Sequence, residues 1–155
     1  MQIFIDTNII IEIMRDSSKE ELLTKYLNPE SAVFYVSYVS VAEIKSIAMQ
    51  NEWGVPRMKK LQKFLDKGEI IELAGNAILD RYVEIDAFSQ GKHPTIPSKY
   101  SSKNMGKNDI WIAATASILD ILLITTDADY DHLDSVLLKL QKVPLAIIQE
   151  IRKKK

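Results

Sequence analysis

Cysteine is absent from this chain. Disulfides, thiolate metal sites and a cysteine nucleophile are thereby excluded. Histidine is nearly as scarce: His93 and His132 are the two present, too few for a histidine-rich zinc site. A metal centre must therefore be built from oxygen, which suits hard cations. No stretch approaches the ~20 apolar residues of a membrane span. The start, Met1-Gln2-Ile3-Phe4-Ile5-Asp6, lacks a basic lead and soon reaches an acid, unlike a signal peptide. A cytoplasmic protein without a membrane partner is expected. The sequence contains no G-x-x-x-x-G-K-[ST] loop for a nucleoside triphosphate. It has no glycine-flanked serine with a histidine partner for a hydrolase triad.

What is present is ordinary in bulk. The 155 residues are 46% apolar and 26% charged, a globular balance. Their number favours one domain, residues 1–155, able to bury about 70% of its unfolded surface. The net charge of −1 is not the basic footprint usual for a nucleic-acid binder.

The informative feature is the placement of four acids. Asp6, Glu43, Asp109 and Asp127 each fall where a strand-like run gives way to a helix or turn, or where a helix begins. Two unit charges ~5 Å apart repel by roughly 3 kcal/mol at an effective dielectric of 20. Four converging carboxylates call for protons or divalent cations, and so point to a magnesium or manganese site with phosphodiester hydrolysis as its chemistry. With these four set against a cation, twenty bases face seventeen remaining acids, a balance of +3. Each acid also has a purely structural explanation. Asp6 can cap a helix, and Glu43 can close a capping box with Ser40. Asp109 can favour the positive end of a helix dipole, and Asp127 can belong to a turn.

Along the chain, Met1–Ile5, Val33–Ser37, Glu69–Leu73, Ile121–Thr125 and Val143–Ile148 read as strands. Helices are expected from Ile9 to Met14, from Ser17, from Ser40 to about Asn51, from Pro56 towards Gly68, over Asn76–Ser89, and from Lys107 or Asn108 to about Asp120. The alternation predicts an α/β fold, a central parallel sheet with helices on both faces. Ligands of such sheets sit at the carboxyl ends of the strands, and one rim can hold all four acids. The segment 127–138 starts like a calcium loop, but its sixth residue is His132 rather than glycine and its twelfth is Leu138 rather than glutamate.

Residues 90–108 form a long segment rich in glycine, proline, serine and lysine. Lys99, Lys103 and Lys107 surround Tyr100 there, a pattern in which bases stack on an aromatic while lysines follow phosphates. They are candidate RNA contacts. Arg57, Lys59, Lys60, Lys63 and Lys67 read as a solvated helix face. Trp53 and Trp111 are expected in the core or an interface, and His93 and His132 at the surface.

The chain resembles the PIN domain family, and within it the VapC-type toxins of toxin–antitoxin pairs. The resemblance covers nearly the whole length. It rests on Ile5-Asp6-Thr7-Asn8, on Ser40-Val41-Ala42-Glu43, on the run from Asn108-Asp109 to Ala116, and on Leu123-Ile124-Thr125-Thr126-Asp127-Ala128-Asp129-Tyr130. It implies a PIN-like three-layer sandwich with about five parallel strands. The implied activity is that of a Mg2+- or Mn2+-dependent endoribonuclease leaving 5′-phosphate ends. Asp6, Glu43, Asp109 and Asp127 match the family's acids, with Asp6 and Asp109 as inner ligands. Asn8 and Thr125 match its polar helpers, and Asp129 joins them. Tyr130 stands where the family usually has phenylalanine, a mild change. A cognate antitoxin and a homodimer are implied as partners. The alternatives are a catalytically silent scaffold binding RNA or protein, and a structure-specific DNA nuclease.

Overall fold

The structure, a computed structural model, describes residues 1–16 and 33–144. Its elements are β1 (Gln2–Ile5), α1 (Thr7–Arg15), β2 (Val33–Ser37), α2 (Tyr38–Gln50), α3 (Val55–Leu65), β3 (Glu69–Ile71), α4 (Asn76–Ser89), α5 (Lys107–Ile118), β4 (Leu122–Thr125), a short 3-10 helix (Ala128–Leu133) and β5 (Leu140–Lys142). The helix expected from Ser17 lies outside the described residues.

The strands pair in the order β3-β2-β1-β4-β5, all parallel. β1 is central, with Ile3 opposite Phe34 and Leu122, and Ile5 opposite Val36 and Ile124. Side chains alternate across a strand, and here both faces are covered. Ile3, Ile5, Val36 and Ile124 enter one core with Ile9, Ile13, Ile44, Leu61 and Phe64, from α1, α2 and α3. Phe4 and Leu123 enter a second core with Ile85, Phe88, Ile110, Ile112 and Tyr130, from α4, α5 and the 3-10 helix. Double burial is why these strands read as unbroken apolar runs. The result is the expected three-layer α/β sandwich with a five-stranded parallel sheet. The strand order reverses beside β1, with β2 and β4 on opposite sides, so the crevice for ligands opens at the carboxyl ends of β1 and β4.

Three expectations need correction. The last strand is Leu140–Lys142, not Val143–Ile148. Val143 is buried just after it and donates its N–H to Thr125 O at 2.8 Å, while 145–148 lie outside the described residues. The helix carrying Glu43 begins at Tyr38, directly after β2, and its cap is Ser37, whose Oγ accepts from Val39 N at 3.2 Å. Ser40 and Glu43 therefore form no capping box. His132 is buried, not on the surface. Its Nε2 lies 2.7 Å from Ser89 Oγ, its ring stacks with Phe88 at 6.2 Å, and burial pushes its pKa down.

The long segment after α4 is tied down at its far end. Lys103 N donates to Ser89 O at 2.7 Å, and Met105 is buried with its sulfur 3.3 Å from Ser89 Oγ. It thereby leads into α5 at a fixed place.

Candidate metal centre

Asp6 follows β1 and caps α1. Its Oδ1 accepts the Thr7 N–H at 2.7 Å, and its Oδ2 accepts the Thr125 hydroxyl at 2.6 Å. The capping explanation is thus correct and incomplete, because a cap needs one oxygen and leaves Oδ2 unexplained. Asp6 is 3% exposed. Burial pushes its pKa up to about 6 against the pull of the Thr125 and Thr7 hydrogen bonds, and Asp109 and Asp127 add to the rise.

Asp109 occupies the first turn of α5. Its pKa is also pushed up to about 6, first by burial and then by Asp127, Glu43 and Asp129, against a hydrogen bond from Tyr130. Room for its carboxylate comes from Gly106, where a Cβ would stand 3.0 Å from Asp109 Oδ2. Asp127 follows β4 and caps the 3-10 helix, accepting the Asp129 N–H at 2.9 Å. One oxygen each of Asp109, Asp127 and Asp129 lie within 4.8 Å of one another. Asp129, expected only to support its neighbours, stands in the tightest carboxylate group among the described residues.

Glu43 reaches the same rim from α2. Its Oε1 accepts the Thr7 hydroxyl at 2.9 Å, and that hydroxyl also lies 2.8 Å from Ser40 Oγ. The S-x-x-E pattern therefore serves Thr7, at the start of α1, rather than its own helix end.

Thr125 joins the parts. Its hydroxyl donates to Asp6 and receives the Asp127 N–H at 3.0 Å and, more loosely, Asn8 Nδ2 at 3.5 Å. A hydroxyl offers one proton and two lone pairs, so Thr125 is used to capacity. The Asn8 group facing it must then be the NH2, which leaves Asn8 Oδ1 buried without a hydrogen-bond partner among the described residues.

Sequence reasoning passed over Tyr130 as a mild exchange. It is fully buried, and its hydroxyl lies 3.3 Å from Asp6 Oδ1 and 3.2 Å from Asp109 Oδ1. The signal available was a phenol where the family has a plain ring.

The remaining candidates lie apart from the acids. Lys99 and Tyr100 are exposed, Lys107 opens α5, and Lys103 lies beside His132. Among the described residues, none of the three lysines pairs with a site carboxylate. Trp111 is half-buried with its ring 4.2 Å from Tyr82, as a core residue should be. Beside Glu43 a groove of about 530 Å3 is lined by Tyr38, Val39, Ala42, Ser46, Ile47 and Asn108. A larger one of about 610 Å3, lined by Arg81, Asp120 and Lys139, holds none of the site acids.

The donor set fits a hard divalent cation. It is all carboxylate oxygen, and burial first, then mutual repulsion, raises the pKa of Asp6 and Asp109, a cost that a cation would relieve.

The sequence pattern of the PIN domain matches residues 3–136. The chain belongs to the PIN domain family. Solved structures share the fold at low identity. VapBC2 from Rickettsia felis, bound to a promoter DNA fragment, matches with a TM-score of 0.70 at 20% identity, over 92% of this chain and 98% of that one. VapBC-1 from nontypeable Haemophilus influenzae matches at 0.69 and 20% over the same shares. VapBC-5 from Mycobacterium tuberculosis, described as a toxin–antitoxin system, matches at 0.59 and 19%, over 92% and 98%. No curated protein matches the chain. Among the described residues, no helix of this PIN domain is long and apolar enough to cross a membrane.

Proposed function

We propose that this PIN domain is a Mg2+- or Mn2+-dependent endoribonuclease, with residues 1–155 acting as one nuclease unit. What supports the reading is the grouping of Asp109, Asp127 and Asp129 within 4.8 Å, with Asp6 tied to Asp109 through the Tyr130 hydroxyl and Glu43 held at Thr7 beside Asp6. Bare carboxylates would repel a phosphodiester, so the rim needs a cation to take one.

Asp6, Glu43, Asp109 and Asp127 would hold the cation, and Asp129 is near enough to share in it. When bound, the cation offsets charge on the phosphodiester and makes a nearby water more acidic. Thr125 orients Asp6 directly, as donors behind metal ligands commonly do, and Asn8 acts through Thr125. Glu43, held through Oε1 by Thr7, keeps Oε2 for the cation, and solvent takes the proton of the attacking water. The water oxygen bonds to phosphorus, and the bond from phosphorus to the 3′ oxygen breaks. That oxygen takes a proton from solvent, leaving 3′-hydroxyl and 5′-phosphate ends. Lys99, Tyr100, Lys103 and Lys107 follow the RNA on its way to α5.

The likeness to VapBC assemblies supports a toxin role with a cognate antitoxin as partner, and the same reading takes the toxin as a homodimer acting in the cytoplasm. The test is cleavage of single-stranded RNA, folded tRNA and DNA with Mg2+ or with excess chelator. RNA cleavage that needs Mg2+ and is lost in Asp109→Asn is expected. Activity persisting in chelator sinks the proposal. Preferred cleavage of DNA moves the assignment to a DNA nuclease, and cation binding without cleavage moves it to a silent scaffold.

A further inference from the structure

The Tyr130 ring fills core space that phenylalanine would fill as well. Its hydroxyl has a separate effect. At 3.3 Å from Asp6 Oδ1 and 3.2 Å from Asp109 Oδ1, it is beyond the usual ~2.7–2.8 Å of an O–H···O bond to either. A phenol has a single proton to give. Two near-equal, long contacts therefore describe one proton shared between two acceptors. A buried hydroxyl needs only one acceptor to be satisfied, and this one lies between carboxylates from two different elements, the end of β1 and the first turn of α5.

The two acids depend on it unequally. Asp6 is already held by Thr7 N–H and Thr125 O–H. Asp109 has Tyr130 as its only side-chain hydrogen-bond donor among the described residues. The ring itself cannot move, because it is packed at 0% exposure. Its oxygen is thus a fixed point from which the Asp109 carboxylate is aimed.

We propose that Tyr130 is a positioning residue for the divalent cation: its hydroxyl bridges Asp6 and Asp109 and sets their oxygens at a fixed separation before the cation arrives. The inference rests on reading the carboxylates as a cation site. Donors that orient metal ligands typically change affinity by about 10- to 100-fold when removed.

The experiment is calorimetric titration of the full chain with Mn2+, wild type against Tyr130→Phe, both checked as folded by circular dichroism. The expected result is a Kd weakened by about 10- to 100-fold. An unchanged Kd, even with a lower melting temperature, overturns the inference, because a packing role alone predicts that result. A wild type that binds no Mn2+ overturns the cation-site reading itself, so the two failures are distinguishable. If Tyr130→Phe does not fold, 3-fluorotyrosine placed at position 130 of the otherwise wild-type chain answers the question. Its fluorine resonance should move as Mg2+ saturates the site, and a stationary resonance overturns the inference.

Discussion

Removing every divalent cation should make the pH dependence of stability report on the crowded acids, and Asp6 allows the effect to be calculated. Its pKa rises from an ordinary 3.8 to about 6 in the folded chain. The folded form therefore holds a proton that the unfolded form has already lost between those values. Stability falls as pH rises through this window and levels off above it, a total loss of about 3 kcal/mol. Between pH 5.0 and 7.5 the share is on the order of 1 kcal/mol. Asp109 acts in the same direction, with a smaller effect because it is only half-buried and solvent screens it. His132 acts oppositely: its lowered pKa means that stability is lost as pH falls below its usual value near 6.5. The quantity to measure is therefore a difference of differences. Urea unfolding in chelator at the two pH values should show wild type gaining on the order of 1 kcal/mol more on acidification than Asp6→Asn. Equal gains in the two proteins, or a larger one in the variant, would refute the claim that Asp6 carries a strained charge.

Other outcomes follow from the same contacts. Asp109→Asn should lower Mg2+-dependent RNA cleavage by about a thousandfold, since a lost cation removes several kcal/mol of transition-state stabilisation, while circular dichroism stays unchanged. Gly68→Ala should cost about 1–3 kcal/mol in urea unfolding, because its Cβ would stand 2.1 Å from the Phe34 ring, which stacks on Phe64. His132→Ala should cost about 1–3 kcal/mol by leaving the buried Ser89 hydroxyl without its nitrogen partner; a loss near zero would mean that Met105 replaces it.

The sheet was legible because β1, β2 and β4 are buried on both faces and so spell themselves in apolar runs. β5 was not, because Leu140-Gln141-Lys142 is an edge strand that, among the described residues, pairs with β4 alone. Its polar letters hide a register fixed by its neighbour, and the more apolar stretch after it drew the prediction away. The acids were visible through their positions at strand ends. Their explanations were harder to weigh, because a cap and a site can be one residue: Asp6 caps α1 and also takes the Thr125 hydroxyl. The capping-box alternative for Glu43 failed for a different reason. Two serines, Ser37 and Ser40, can both start a helix, and the absence of any loop after β2 selects the first. His132 was beyond reach, since Ser89 meets it only through the fold; Tyr130 carried a signal in its phenol, but its place between Asp6 and Asp109 is set by the fold.

The central claim is that these carboxylates form a divalent-cation site, and a thermal melt tests it most directly. A ligand that binds only the folded state must raise its stability. Adding Mn2+ to the chelator-treated wild type at pH 7.5 should raise the melting temperature, and the rise should largely vanish in Asp109→Asn. An unchanged melting temperature at saturating Mn2+, or an equal rise in both proteins, would contradict the account.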